Sequence, residues 1–152
     1  MKWEKGAFII TDRREDLDDE MIYRFLSECS YWAQGIPKAI VVKALDNSLC
    51  FGVFQEKTQV GFGRIVTDRA TFGYLSDVFI LESYRGLGLG KWLVECMMSH
   101  PELGNLRRWM LATGDAHRLY QQYGFRPLGK PDMLMEKLVP DIYQQTGKEI
   151  EP

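Results

Sequence analysis

The spacing of apolar residues changes period several times along the chain, and each change marks an element. Ala7-Phe8-Ile9-Ile10-Thr11 is β-branched and aromatic, which predicts a first strand. Met21, Ile22, Phe25 and Leu26 recur at three- and four-residue steps, the signature of an amphipathic helix. The acidic run Asp16, Asp18, Asp19 and Glu20 suits that helix's N-terminus, where carboxylates meet the positive end of the dipole. Tyr31-Trp32-Ala33-Gln34-Gly35-Ile36 interrupts the pattern, and Pro37 fits the first turn of a second helix ending near Leu45. Leu49–Phe54 and Val60–Thr67, joined by Glu56-Lys57-Thr58, predict a hairpin. Asp68-Arg69-Ala70 then turns the chain into a long strand ending near Leu81. Leu89, Trp92, Leu93, Cys96 and Met97 return to helical spacing. Arg107–Ala112 predicts a further strand, and Asp115 an N-cap for a helix that Gly124 ends. Met133-Leu134-Met135-Glu136-Lys137-Leu138 predicts a last strand. One strand, two helices, a three-strand meander and then alternating helix and strand imply an α/β (α+β) fold, a mixed sheet with helices on both faces.

Composition narrows the class without naming a chemistry. A chain of 152 residues, 26% charged and 45% hydrophobic, is ordinary for a single globular domain. Residues 1–139 read as that domain and 140–152 as a polar tail. The net charge of −2 gives no bias toward nucleic acid or an anionic membrane. No apolar run approaches the roughly twenty residues of a membrane helix. Met1–Gly6 lacks the apolar core of a signal peptide, so a cytoplasmic location is expected. Cys29, Cys50 and Cys96 are widely spaced and odd in number, which argues against a disulfide framework. His100 and His117 stand apart from any acidic or thiol cluster, so neither a cysteine nucleophile nor a metal site is expected.

The chemistry concentrates in Tyr84-Arg85-Gly86-Leu87-Gly88-Leu89-Gly90-Lys91, between the long strand and a helix. A glycine-rich strand-to-helix turn presents unpaired N–H groups at the positive end of a helix dipole, and so suits a phosphate. Three phosphate-loop grammars fail here. The Walker loop needs Gly where Arg85 stands and Ser or Thr where Trp92 stands. The dinucleotide and kinase fingerprints need a third Gly where Lys91 stands.

The pattern Arg-Gly-x-Gly-x-Gly after Asp77-Val78-Phe79-Ile80 resembles the pyrophosphate loop of the GNAT N-acetyltransferase superfamily. A second block, Ala116-His117-Arg118-Leu119-Tyr120-Gln121-Gln122-Tyr123-Gly124-Phe125, is similar to that family's Ala-x-x-Leu-Tyr-x-x-x-Gly-Phe signature. The resemblance implies a mostly antiparallel central sheet with a splayed parallel pair at the coenzyme site. It implies acetyl-coenzyme A as donor, its pantetheine arm on the main chain of Val78, Phe79 and Ile80. The pyrophosphate would sit on Arg85, Gly86, Leu87, Gly88, Leu89, Gly90 and Lys91. Thr113 stands where many relatives carry a pantetheine-contacting Asn, so its hydroxyl would supply only part of that contact.

The implied reaction is direct attack of an amine on the thioester. Tyr120 matches the family tyrosine that often serves as general acid, and tyrosine stays protonated at neutral pH. Asp77 is a carboxylate inside an apolar strand, which is costly unless solvated or paired. It is a candidate base or anchor for a cationic substrate; a water chain as base and a purely structural hydrogen bond are the alternatives. Tyr31 and Trp32 lie where relatives build the acceptor pocket, and aromatic rings suit a small, partly apolar or cationic amine. A small-molecule amine acceptor is expected, with a protein N-terminus or lysine, or a non-catalytic acyl-coenzyme A sensor, as alternatives. Dimers are common among such proteins, so a homodimer is an expected assembly. No nucleic-acid or membrane partner is expected.

Overall fold

A computed structural model describes residues 1–144. The polar tail expected from residue 140 therefore lies mostly outside the described residues. Six strands form one sheet in chain order: β1 Lys2–Lys5, β2 Phe8–Thr11, β3 Leu49–Gln55, β4 Thr58–Thr67, β5 Phe72–Ile80 and β6 Arg108–Leu111. Every neighbouring pair is antiparallel except β5 and β6, which are parallel. The crossover between those two carries α3, Leu89–Met98. The other helices are α1 Asp19–Arg24, continued by a π-helical turn Phe25–Cys29, α2 Lys38–Asp46, and α4 His117–Gln121.

Helices cover both faces of the sheet, giving two cores. On one, Leu89, Leu93 and Met97 of α3 pack against Phe51, Val60 and Ile65. On the other, Ile22, Leu26, Val41 and Leu45 from α1, the π turn and α2 pack against Cys50, Phe62 and Phe79. Local signals behave as their chemistry requires. The Asp18 carboxylate accepts from the Met21 N–H at 3.0 Å, capping α1. Gly124, at φ +87°, ends α4 in a left-handed turn, and the Phe125 N–H donates back to the Tyr120 carbonyl.

Three expectations are corrected. The chain opens with a strand not foreseen, β1, joined to β2 by a turn at Gly6. Its sequence is mostly polar because it is an exposed edge, where only Trp3 packs inward, against Phe51. The cap at α4 is not Asp115. The Thr113 hydroxyl oxygen accepts from the N–H groups of Asp115 and Ala116, at 3.4 and 3.0 Å. The expected last strand, Met133–Leu138, is not a strand. Every residue from Arg126 to Pro140 is exposed, and no neighbouring strand meets its N–H and C=O groups. Pro127 and Pro131 lack the N–H a ladder needs, and the segment stands across a cavity from Arg107–Met110 without pairing.

One irregularity positions the site. Phe62 pairs with Phe79, but Arg64 pairs with Ser76, so two residues of β5 oppose Gly63 alone. This bulge puts Asp77 in the left-handed region, φ +55°. It also shifts the alternation of β5 by one. Leu75 and Val78 join the α3 core, whereas Phe79 joins the opposite core.

Candidate active site

The parallel ladder between β5 and β6 begins at Phe72 and Arg108 and ends at Leu75 and Leu111. Beyond that point β5 continues to Ile80, while the other chain turns away through Thr113 and Gly114. From Ser76 to Ile80, β5 has no ladder partner on that side. Its main-chain groups face a cleft of ≈ 620 Å³ bounded by Val78–Ile80, the Tyr84–Gly90 turn, and Ala116, Leu119 and Tyr120 of the α4 region.

The glycine turn forms the cleft's far end. Gly86 and Gly88 take φ +81° and +77°, a conformation that L side chains avoid. Gly88 is the N-cap of α3, and no side chain caps the helix there. Its leading N–H groups are therefore available to a ligand. A Cβ at Gly86 or Gly88 would meet nothing within 4 Å, and one at Gly90 would meet only Ile80 Cγ1 at 3.8 Å. The open space in front of the turn is what a pyrophosphate cradle requires. Arg85 is tied down by its Nε, which donates to the Ile80 carbonyl at 3.0 Å. Arg85, Gly86, Gly88, Leu89 and Gly90 border the cleft; the Leu87 and Lys91 side chains do not.

Tyr120 sits between this cleft and a second cavity, of ≈ 310 Å³. Its ring is buried, 8% exposed, and its hydroxyl bonds to no other described residue. Burial, then Asp115 and Tyr31, pushes its pKa from 10.0 up to about 12. The second cavity is walled by Tyr31, Trp32, Tyr74, Asp77, Thr113 and Asp115. Tyr31 crosses from the loop before α2 and accepts at its hydroxyl from the Gly114 N–H, 3.1 Å away. Trp32 meets Tyr31 edge-on, with centroids 4.9 Å apart. Beneath them Phe25, on the π turn, stacks on Phe79 at 3.7 Å.

Asp77 ties the walls of this second cavity together. Its Oδ2 accepts from Arg64 Nε at 2.6 Å and its Oδ1 from Trp32 Nε1 at 2.8 Å. Arg64 also donates to Ser48 and Ser76 hydroxyls, at 3.0 and 3.2 Å. Sequence reading passed over Arg64, although a second charge in an apolar hairpin strand was the same signal that singled out Asp77. It also read Phe25 only as core and Asp115 only as a cap; both border the cleft. Arg107 and Arg108 lie at the outer edge of β6, away from the glycine turn.

Two buried thiols and a buried histidine are structural. Burial raises the Cys50 thiol to about 12 and the Cys96 thiol to about 11, which keeps both protonated. His100 is buried and bonds through Nε2 to Asp12 at 2.9 Å, while its Nδ1 accepts from the Glu102 N–H. Among the described residues, no group of three or more His, Cys, Asp or Glu could hold a metal, and no helix is long and apolar enough to cross a membrane.

The comparisons with known proteins agree with this geometry. Residues 46–127, which span the meander, glycine turn, β6 and α4, match the family model for the acetyltransferase (GNAT) domain. A Gibberella zeae protein provisionally named an acetyltransferase is 31% identical, with 78% of each chain covered. A crystal structure from Xanthomonas campestris pv. campestris, of a protein provisionally placed in the GNAT family, is 46% identical. It superposes with a TM-score of 0.90 over 93% of this chain and 100% of that one. Glucosamine-6-phosphate N-acetyltransferase of Arabidopsis thaliana shares the fold alone, at 16% identity and a TM-score of 0.62 over 88% of this chain and 99% of that one. The chain belongs to the GNAT acetyltransferase family. It is an acyltransferase whose mostly antiparallel sheet and parallel β5–β6 pair match those of its structural neighbours.

Proposed function

We propose that this enzyme is an acetyl-coenzyme A-dependent N-acetyltransferase that transfers acetyl directly to the primary amine of a small molecule. One observation carries the reading: β5 main chain with no partner on its β6 side and an open glycine turn share a cleft with Tyr120, whose hydroxyl bonds to no other described residue. Acetyl-coenzyme A would supply the activated acetyl as a thioester. Leu89, Gly90 and Lys91 would offer main-chain N–H groups to its pyrophosphate, with Arg85 holding the turn to Ile80. Val78, Phe79 and Ile80 would hydrogen-bond the pantetheine arm, and Thr113 would add a hydroxyl to it.

An amine attacking the acetyl carbonyl puts negative charge on the carbonyl oxygen. A fixed N–H of β5 near Phe79 stabilises that charge without reorganising. The C–S bond then breaks, and the sulfur leaves with the electron pair. Tyr120 donates its proton to that sulfur, acting as general acid. The attacking nitrogen must also lose a proton. Both Asp77 oxygens already accept from Arg64 and Trp32, which favours a water chain as base and a positioning role for Asp77. Tyr31 and Trp32 would hold the amine, and a cavity of ≈ 310 Å³ suits a small molecule better than a folded protein surface.

Thiol release from acetyl-coenzyme A over a panel of polyamines, amino acids, aminoglycosides and peptides tests the reading. Turnover with at least one small amine supports it. Turnover on peptides alone identifies a protein acetyltransferase, and tight coenzyme binding with no turnover identifies a sensor.

A further inference from the structure

The cavity of ≈ 310 Å³ beside Tyr120 carries one uncommitted charge. Asp77 and Asp115 border it, and no Lys, Arg or His among the described residues does. The two carboxylates differ in their partners. Asp77 is matched by Arg64, whose three guanidinium nitrogens are all engaged, by Asp77, Ser48 and Ser76. The Asp115 carboxylate has no hydrogen-bond or ion-pair partner among the described residues.

The backbone that carries Asp115 is nonetheless held. Its N–H and that of Ala116 donate to the Thr113 hydroxyl, at 3.4 and 3.0 Å. The preceding Gly114 N–H donates to the Tyr31 hydroxyl at 3.1 Å. Asp115 borders both the cavity and the cleft, as Tyr120 does. Its charge is close enough to Tyr120 to add to burial in raising that hydroxyl's pKa. A negative charge is thus fixed beside the buried, unbonded Tyr120 hydroxyl.

The rest of the wall is largely aromatic: Tyr31, Trp32, Tyr74 and Tyr120. Such rings pack against methylene groups and attract a cation through their faces. A carboxylate or phosphate on the acceptor would enter beside Asp115 with no lining cation to offset it. An ammonium would meet both a free carboxylate and ring faces.

We propose that Asp115 determines acceptor specificity by selecting a diamine, whose neutral nitrogen attacks the thioester while its second, protonated nitrogen sits against the Asp115 carboxylate. The inference deepens the small-amine reading and rests on it. The C–N bond forms as the C–S bond breaks. The attacking nitrogen's proton leaves to water, and the sulfur takes the Tyr120 proton. The products are a singly charged N-acetyl diamine and coenzyme A. The anchoring role falls to Asp115 and not to Asp77, whose two oxygens are already taken by Arg64 and Trp32.

The test compares kcat/KM over a homologous series of straight-chain α,ω-diamines, the corresponding monoamines and the corresponding ω-amino acids. At the best chain length the wild type should prefer the diamine to the monoamine by about tenfold or more, the effect of one charge-assisted hydrogen bond. Asp115→Asn should bring that ratio to about one, and Asp115→Lys should turn the preference toward the ω-amino acid. Asp115 is exposed, so both variants should keep the wild-type circular dichroism. A residue acting only through folding or through the field at Tyr120 would change all acceptors together and leave the ratio alone. A wild-type ratio of about one, a ratio unmoved in Asp115→Asn, or a wild-type preference for ω-amino acids would each overturn the inference. Calorimetric titration of the same diamines with coenzyme A present separates this from the reading beneath it. Diamine binding that weakens about tenfold in Asp115→Asn, without acetyl transfer to any amine, supports the role of Asp115 and overturns the transfer reading. Transfer to monoamines with an unmoved ratio keeps the transfer reading and overturns the role of Asp115. Neither binding nor turnover of any diamine overturns the inference too.

Discussion

The two halves of the proposed site are built from different materials. The proposed donor side is mainly main chain: β5 beyond its last ladder pair, and a glycine turn at the start of α3. The proposed acceptor side is mainly side chain: Tyr31, Trp32, Asp77 and Arg64, drawn from three separate stretches and joined by hydrogen bonds. A main-chain site needs glycine and a helix start, both of which are local. A side-chain site needs long-range contacts that no single window contains. Tyr31 and Trp32 border both cavities, so they belong to the seam between the two sides and not to one alone.

Tyr120 stands where the halves meet, and its loss should have the largest effect. Tyr120→Phe should lower kcat by about 10²-fold or more, with the KM for acetyl-coenzyme A unchanged. A steady-state comparison over both substrates checks this. The pKa of about 12 fixes the pH dependence. The neutral hydroxyl persists as pH rises through tyrosine's ordinary 10.0, so Tyr120 should cause no loss of rate between pH 8 and 10. For stability the sign is that of a raised pKa. The stabilising contribution is full below 10.0 and is lost as pH rises toward 12.

Gly90 should separate the donor half from the fold. A methyl there has room within the protein, and alanine in a helix is favoured over glycine by up to about 1 kcal/mol. Gly90→Ala should keep or raise Tm while raising the KM for acetyl-coenzyme A about tenfold, the cost of one charge-assisted hydrogen bond. Unchanged coenzyme affinity, measured by calorimetry, would remove Gly90 from the cradle.

Asp77→Asn tests the acceptor half. Asparagine tolerates the positive φ and can still accept from Trp32, but it loses the ion pair with Arg64. The acceptor KM should rise about fivefold, a change of about 1 kcal/mol, with coenzyme affinity unmoved. If Asp77 only positions Trp32, the pH–rate profile should keep its shape. Disappearance of its acidic limb would instead make Asp77 the base. Tyr31→Phe should have the smallest effect. It removes one neutral hydrogen bond to Gly114, about 0.5–1 kcal/mol, so the acceptor KM should rise two- to fivefold, roughly.

Much of the architecture was legible in order and type. The meander, the glycine turn, α3 and the parallel return to β6 each carry their own period and punctuation. The errors share one cause. β1 was missed because an exposed edge can be mostly polar, and Met133–Leu138 was read as a strand because it is an apolar run late in the chain. A run of apolar residues does not record whether a partner strand is there. Asp115 was the better cap by residue type, yet Ala116 holds that position with no side-chain cap, and the Thr113 hydroxyl bonds the two N–H groups just before the helix.

By itself the sequence carried the motifs of the proposed donor half: three glycines, a helix start and the Tyr120 block are contiguous stretches whose chemistry is local. Only the tertiary structure assembled the residues of the proposed acceptor half. The bulge opposite Gly63 turns Asp77 toward Arg64 and Trp32, and a hydrogen bond carries Tyr31 across to Gly114. These contacts join residues 13, 45 and 83 positions apart, and no period in the chain records them. Their geometry is fixed by strand register and core packing, which exist only once the sheet has formed.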